Sequence, residues 1–320
     1  MKELEINKEM SNVLKGISCI LIVAHHFCSW LDGRGYDNLF IHFIAFRGGV
    51  IGVTVFFFLS AWGLSESQSN NYYSFSFFVK RRLSKVFFPL AITNVLYYFF
   101  LLSINQKSFS FLTMLLTLFN IRYFDGVLWF CNVILLFYFI FYVSFLPKEK
   151  WIKINLCIMA TILYSVIITR LLPKAPFCVY SIIGFPFGMV CSLYKDRILK
   201  PYYWGAWSFF VIIFLLLSAF LNPLYGNLFI MNTCSYILLF FLVLFLTITS
   251  EYNYSKSIMF FSFVGYYSYE IYLFHNKVLV QLGKAGYLIW YPIAFIVIVL
   301  PLAVLLKRVL IKHERSVKGQ

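Results

Sequence analysis

The chain has 320 residues and a net charge of +15, yet only 12% of its residues are charged and 62% are hydrophobic. Soluble domains carry roughly 25% charged residues, so a water-soluble fold could not bury this much apolar surface. The composition therefore excludes a soluble enzyme and predicts an all-α, polytopic transmembrane helix bundle whose solvent is the lipid bilayer.

Apolar runs follow one another with no polar gap long enough for a separate domain. We therefore expect one transmembrane domain over residues 1–320, with no appended soluble domain. In chain order the runs predict about ten spans, at 13–30, 49–66, 86–104, 126–146, 152–171, 179–194, 204–221, 227–249, 258–280 and 286–306.

Two of the apolar runs are shorter than the others. The run 179–194 is short for a span, which needs roughly 17–25 residues. Two glycines and a proline inside it are expected to break or kink the helix: Gly184, Pro186 and Gly188. The run 111–121 is too short to cross the bilayer and is a candidate re-entrant or interfacial segment.

The positive charge is distributed as topology signals are. With the N-terminus inside, the predicted cytoplasmic segments and helix ends hold 19 of the 27 Lys and Arg residues. This asymmetry predicts an even number of spans in the plasma membrane, with both termini in the cytoplasm. Cations held in short loops do not predict nucleic-acid binding.

The seven cysteines lie mostly inside apolar runs and show no metal-ligand spacing, so no metal is expected.

The first span carries Lys15, His25 and His26. Lys15 and His26 are about three helical turns apart, so they share nearly one face and are separated by roughly 16 Å along the axis. Lys15 would lie at the cytoplasmic surface and His26 past the midplane, where an imidazole could accept a proton from a hydroxyl. His25 points roughly 100° away and is the weaker candidate. Alternatively, both histidines only mark the outer interface.

A cluster of cations precedes the third span and consists of Lys80, Arg81, Arg82 and Lys85. These side chains could clamp a phosphate-rich cytosolic ligand, or they could act only as a positive-inside anchor. Arg82 and Lys85 are three residues apart and would share a face of a helix.

Two further segments place aromatic or ionisable groups near predicted outer ends of spans. Trp129 begins the fourth span, where tryptophan is also expected as an interface anchor. Glu270 and His275 lie in the ninth span, and their spacing does not put them on one face, so they do not predict a metal pair. His275 is expected at a depth similar to that of His26, which would suit proton transfer if the two helices converge.

Five segments in chain order form a wider pattern: Lys15 followed after ten residues by His26; Gly48–Leu64 with the letters GGVIGVTVFFFLSAWGL; Arg82-x-x-Lys85 before Pro89; Leu128-Trp129-Phe130; and Ser268–His275 with the letters SYEIYLFH. Together they resemble the acyltransferase-3 family of membrane O-acyltransferases. The family histidine falls on His26. Three positions depart from the family: Ala61 stands where Gly is usual, Lys85 where Arg is common, and Thr54 where an acidic or small residue is common.

The resemblance implies acyl transfer from cytosolic acetyl-CoA to a hydroxyl of a cell-envelope polysaccharide or lipid-linked sugar, by the stand-alone form of the family. It implies His26 as the catalytic residue. The acyl-CoA phosphates would be bound by Lys15, Arg81, Arg82 and Lys85. Acceptor contacts or support would come from His275, Trp129, Ser60 and Tyr272. Because lysine lacks the bidentate fork of arginine, Lys85 would bind phosphate more weakly or serve only as an anchor.

Several alternatives stay open from the sequence. The acyl group could be acetyl, succinyl or another, and transfer could be direct or through a covalent intermediate. The glycan and the oligomeric state are also open. The main alternative function is a transporter or flippase of a lipid-linked sugar, which would work without acetyl-CoA. A glycan polymerase is a third reading, disfavoured because the longest outer loop is only 31–48.

Overall fold

The computed structural model describes residues 6–36, 38–70, 74–104, 106–121, 126–173, 175, 177–195 and 256–318. Within these ranges the backbone forms helices and turns and no β-strand, which confirms the all-α prediction. The predicted spans 204–221 and 227–249 lie outside the described residues.

The helices are numbered in chain order. They are α1 Lys8–Asp32, α2 Leu39–Phe43, α3 Gly49–Asn70, α4 Phe75–Arg82, α5 Phe88–Ser103, α6 Phe111–Leu118, α7 Trp129–Phe145, α8 Lys150–Leu171, α9 Phe177–Tyr180, α10 Gly184–Leu193, α11 Lys256–Tyr266, α12 Ser268–Lys284, α13 Tyr291–Ala294 and α14 Leu300–Lys318. Wider π-helical turns lie at Ile44–Gly48, Leu83–Phe87 and Phe295–Val299, and 3₁₀ turns at Gly126–Leu128 and Leu288–Trp290.

Six helical stretches among the described residues are long and apolar enough to cross a membrane. They are Lys8–Asp32, Leu39–Gln68, Phe75–Ser103, Gly126–Phe145, Lys150–Leu171 and Leu288–Lys312. This supports a multi-pass membrane protein and agrees with six of the predicted runs, but it does not confirm the count of about ten.

Two predicted spans differ from the helices that form. The run 179–194 divides into α9 and α10, and the break lies at residues 181–183, before the expected Gly184-to-Gly188 kink. The run 258–280 divides at Tyr267 into α11 and α12, and neither meets the length and hydropathy of a candidate span. α12 has only 17 residues and carries polar residues within its first ten, among them Glu270, His275 and Lys277.

The chain forms two compact units. The first unit comprises residues 1–73 and 137–265, and the second comprises residues 74–136 and 266–320. Lys15, His26 and Ser60 belong to the first unit. The other predicted site residues belong to the second unit: Arg81, Arg82, Lys85, Trp129, Tyr272 and His275.

In the first unit, α3 packs against both α1 and α10. Its centre contains aromatic rings, with the Phe137 ring centroid 5.5 Å from that of Phe57 and 5.1 Å from that of Phe185. Glycines allow the helices to approach closely at two points along α10. A Cβ added at Gly184 or Gly188 would lie 2.3 Å from the backbone oxygen of Thr54 or Phe58, respectively.

The close contact of α10 with α3 predicts that a glycine-to-alanine substitution destabilises the protein at the contact but not away from it. Gly188→Ala should destabilise the protein by about 1–3 kcal/mol, because a methyl group cannot fit against the backbone of Phe58 without moving a helix. Gly63→Ala is the matched control, since nothing lies within 4 Å of its added Cβ. Thermal unfolding of the purified protein in detergent measures both, and equal midpoints for the two variants would contradict the packing.

In the second unit, α12 is the buried helix and packs against α5, α14 and the π-helical turn before α14. The predicted short segment at 111–121 forms α6, which is too short to cross a bilayer as expected. Two α5 side chains hold it: the Tyr98 hydroxyl accepts a hydrogen bond from the Ser110 amide at 2.8 Å, and Asn94 Nδ2 donates to the Thr117 carbonyl at 3.1 Å.

Candidate functional site

Lys15 and His26 lie on one uninterrupted helix. α1 runs from Lys8 to Asp32 after an Asn7 cap, whose side chain accepts the Met10 amide at 2.8 Å. Eleven residues separate Lys15 from His26, so the two share nearly one face and are roughly 16 Å apart along the axis, as predicted. Both side chains are half-buried. One helix therefore carries a cation near its start and an imidazole about three turns further on.

The neighbouring His25 is held by the chain that leads into α3. Its Nδ1 lies 3.2 Å from the Ile44 carbonyl oxygen, and its ring centroid is 4.7 Å from that of His26 in an edge-on arrangement. The motif glycines make this approach possible, because a Cβ on Gly49 would meet the His25 ring at 2.6 Å. No sequence signal indicates this contact, since the residues that face His25 lie about 20 positions further along the chain.

Ser60 lies toward the Lys15 end of the helix pair. Gly52 of α3 meets α1 at Ser18, where an added Cβ would lie 2.6 Å from the backbone oxygen. Beyond Gly52, α3 packs with Leu59 in one cluster with Met10. Eight residues of helix carry Ser60 roughly 12 Å beyond Gly52 in that direction. Ser60 is thus closer in depth to Lys15 than to His26.

The basic cluster falls on a change of helix type. Arg82 is the last residue of α4, and Lys85 lies in the π-helical turn Leu83–Phe87. A π turn rotates the chain less per residue than an α-helix, so Arg82 and Lys85 are expected to lie further apart around the axis than in a continuous α-helix. Arg82 is half-buried with its guanidinium carbon 5.4 Å from the Phe78 ring centroid, whereas Lys85 is exposed.

Two tyrosines of the last motif join the motif segments of the second unit. The Tyr269 hydroxyl donates to the Val86 carbonyl at 2.7 Å, within the π turn that carries Lys85. The Tyr272 hydroxyl donates to the Val127 carbonyl, two residues before Trp129. Tyr272 was predicted to contact the acyl acceptor or to support the site. Its bond to Val127 holds the 3₁₀ turn Gly126–Leu128, which directly precedes Trp129. Tyr269 was not singled out, although its place in the motif was visible.

His275 is fully buried in α12. Its Nδ1 lies 2.7 Å from the Tyr272 carbonyl oxygen. Because a carbonyl only accepts, Nδ1 carries the hydrogen, and the lone pair of a neutral ring is on Nε2. The backbone oxygen of His275 accepts the Tyr291 hydroxyl at 3.1 Å. The residue is therefore fixed at both its ring and its backbone.

Trp129 is half-buried at the start of α7, next to a network of asparagines that sequence reasoning missed. Asn120 Nδ2 donates to the Leu128 carbonyl at 3.1 Å and to Asn132 Oδ1 at 3.0 Å. Asn94 Nδ2 lies 3.3 Å from Asn120 Oδ1. Asn120 has φ of 55°, a conformation that asparagine tolerates better than most residues. No periodic signal marks these asparagines, since they lie between the recognisable motifs.

A buried ion pair fastens α14 to the start of α12. Lys307 Nζ lies 3.1 and 3.2 Å from the two carboxylate oxygens of Glu270, and it donates to the Tyr266 carbonyl at 2.6 Å. The side chains are 21% and 6% exposed, respectively. Lys307 is one of the 19 Lys and Arg residues that the charge distribution assigns to the cytoplasmic side. Here it neutralises the one acid of α12 at the break between α11 and α12.

This ion pair predicts that each single neutral variant is worse than the double variant. Glu270→Leu or Lys307→Met leaves a buried charge without its partner and should cost about 3–5 kcal/mol. The double variant should recover most of that loss. The unfolding midpoints of the wild type, both single variants and the double variant, measured in detergent, form a double-mutant cycle. Lys312→Met, at an exposed position of α14, is the control. Additive losses would contradict a direct interaction.

Comparison with known families gives one finding. A family model described as an acyltransferase domain matches residues 11–310, nearly the whole chain. Comparisons with curated proteins and with solved structures find no match. The matched range contains all five motif segments, and the resemblance read from the sequence is therefore confirmed.

Proposed function

Because this chain belongs to the acyltransferase-3 family, we propose that it is a membrane O-acetyltransferase for an envelope glycan. The donor is cytosolic acetyl-CoA, and the acceptor is a hydroxyl of a cell-envelope polysaccharide or of a lipid-linked sugar. The proposal includes the plasma membrane as its location, about ten spans and cytoplasmic termini.

The observation that carries the proposal is the arrangement of Lys15 and His26 on α1. A CoA thioester is a long molecule with phosphates at one end and the reactive carbonyl at the other. A cation at one end of a helix and an imidazole roughly 16 Å further along the same face match that polarity. Lys15 would bind phosphate, and His26 would meet the thioester.

The chemistry assigned to His26 is general acid–base catalysis. Its imidazole takes the proton of the acceptor hydroxyl while the hydroxyl oxygen forms a bond to the thioester carbonyl carbon. As the tetrahedral intermediate collapses, the carbon–sulfur bond breaks. The imidazolium returns the proton to the leaving thiolate, so the products are an O-acetyl ester and free CoA. No covalent acyl-enzyme is needed.

The second unit supplies the remaining proposed roles except that of Ser60, which belongs to the first unit. Arg81, Arg82 and Lys85 bind phosphates of the donor, and the two arginines bind more strongly than Lys85 because a planar guanidinium can make paired hydrogen bonds. Acceptor contacts or support come from residues of α12, α7 and α3: His275 and Tyr272, Trp129, and Ser60.

A transfer assay tests the function. Membrane vesicles from cells expressing the chain are given radiolabelled acetyl-CoA, and label in the vesicle glycan is followed together with the mass gain of one acetyl group. The flippase alternative predicts the opposite pattern, with movement of lipid-linked sugar that needs no acetyl-CoA and leaves the glycan mass unchanged. Glycan of unchanged mass after incubation with acetyl-CoA would overturn the proposal.

The topology gives a separate prediction. Single cysteines introduced at positions 2 and 320 should react with a membrane-impermeant maleimide only after the cells are opened, because both termini are expected in the cytoplasm. A cysteine in place of exposed Tyr36 is the opposite control, since residue 36 is predicted to be outside. Labelling of either terminus on intact cells would contradict an even span count with inside termini.

A further inference from the structure

The π-helical turn Ile44–Gly48 interrupts the regular hydrogen-bonding pattern between α2 and α3. A π-helical turn bonds each carbonyl to the amide five residues further on instead of four, and a carbonyl oxygen has a second lone pair that can accept from a side chain. Two carbonyls of this turn face side-chain donors on α1. His25 Nδ1 lies 3.2 Å from the Ile44 oxygen, and the Ser29 hydroxyl lies 3.3 Å from the Ala45 oxygen.

His25 and Ser29 are one helical turn apart, so they form one contact surface toward the π turn. The Ser29 hydroxyl also lies 2.7 Å from the backbone oxygen of His25, which ties the two positions together. Since the Ile44 carbonyl can only accept, the hydrogen of the neutral His25 ring is on Nδ1. The ring orientation of His25 is therefore set by the backbone of the turn.

Glycines enclose the His25 ring on the α3 side. A Cβ added at Gly48 would lie 3.2 Å from the His25 Cβ, and one added at Gly49 would lie 2.6 Å from Cδ2 and 2.8 Å from Nε2. Any other residue at position 49 would push against the ring. The glycine pair Gly48-Gly49 at the start of the second motif therefore leaves the space that the His25 side chain occupies.

The fixed ring packs in turn against the reactive one. The His25 and His26 ring centroids are 4.7 Å apart with an interplanar angle of 64°, an edge-on contact. We propose that His25 is a positioning residue: its Nδ1 bond to Ile44 fixes the ring against which His26 packs, and so fixes the orientation of the His26 imidazole. This role rests on the proposed function of His26.

Asparagine and leucine at position 25 separate this role from simple space filling. The amide of asparagine places a donor close to where histidine has Nδ1, whereas leucine fills a similar volume without a donor. In the vesicle assay with radiolabelled acetyl-CoA, His25→Leu should lower the maximal rate by about tenfold or more, since small displacements of a catalytic group cost up to about 100-fold. His25→Asn keeps the donor to the Ile44 carbonyl but loses the ring, so its maximal rate should lie between those of the wild type and His25→Leu. The KM for acetyl-CoA should change less than about twofold in both.

The Gly49 contact supplies an independent variant. Gly49→Ala should lower the maximal rate in the wild-type background, because its methyl group displaces the His25 ring. In the His25→Ala background the same change should add no further loss. His42→Ala, in exposed α2, is the histidine control and should retain the wild-type rate. Matched amounts of monodisperse protein show that each variant is folded.

The outcomes distinguish the inference from the function on which it rests. If wild-type vesicles transfer label but the asparagine and leucine variants have equal rates, the positioning role is overturned and the proposed function stands. If the Gly49→Ala loss is the same with and without His25, the contact does not act through His25, and the role is again overturned. If wild-type vesicles transfer no label, both the proposed function and the positioning role fall.

Discussion

His26→Ala is expected to abolish acyl transfer while leaving the protein in the membrane at its normal level. A positioned general base contributes typically about 100- to 10,000-fold to a rate, and no other titratable side chain shares its face of α1 within one turn. Without the imidazole, the acceptor hydroxyl would have to lose its proton to water. The maximal rate in vesicles should fall at least about 100-fold, and the KM for acetyl-CoA should stay nearly unchanged.

The effect should be specific to this position. His26 is half-buried within a long helix, so replacing it with alanine removes little packing and should hardly change the unfolding midpoint. His42→Ala removes an imidazole from exposed α2 and should retain the wild-type rate. A His26→Ala protein that transfers acetyl groups at the normal rate would overturn the catalytic assignment, whatever its stability.

The parts of the fold that follow from local periodicity could be predicted. The first span is one example, because a single helix over Lys8–Asp32 fixes the relation between Lys15 and His26 by arithmetic alone. The same is true of Lys150–Leu171, where the observed stretch is within two residues of the predicted one.

The parts that depend on contacts between helices could not be predicted. Hydropathy joins residues 258–280 into one run, but the helix breaks at Tyr267, where Lys307 meets Glu270 and the Tyr266 carbonyl. Lys307 is about 40 residues away in sequence from these partners, and no local sequence signal near Tyr267 indicates the contact. The π turns are similar, since their carbonyls contact side chains of other helices, such as His25 at Ile44 and Tyr269 at Val86.

The motif residues divide in the same way. The resemblance singled out Arg82, Lys85 and Tyr272 as residue types, but their geometry depends on helix type and on partners. Lys85 lies in a π turn that begins directly after Arg82, and the Tyr272 hydroxyl is bound to a backbone carbonyl. A motif shows which side chains matter together, and only the contacts show which are oriented toward a ligand and which hold a turn.

Arg82→Ala is expected to raise the KM for acetyl-CoA about tenfold or more with a much smaller change in the maximal rate. Hydrogen bonds to charged groups contribute about 1.5–3 kcal/mol, and a tenfold change in affinity corresponds to about 1.4 kcal/mol. A residue that binds the phosphates of the donor acts equally on the bound substrate and the transition state, so its loss appears in KM. The vesicle assay over a range of acetyl-CoA concentrations measures both parameters.

Three further variants separate phosphate binding from topology and from simple charge. Lys148→Ala removes one cation from an exposed position on the same predicted side of the membrane and should leave KM unchanged. Arg82→Lys keeps the charge but loses the bidentate fork, so an intermediate KM is expected. Lys85→Ala should have a smaller effect than Arg82→Ala, because Lys85 is exposed whereas Arg82 is half-buried beside Phe78. A KM for Arg82→Ala equal to that of Lys148→Ala would make Arg82 a topology anchor and remove it from the donor site.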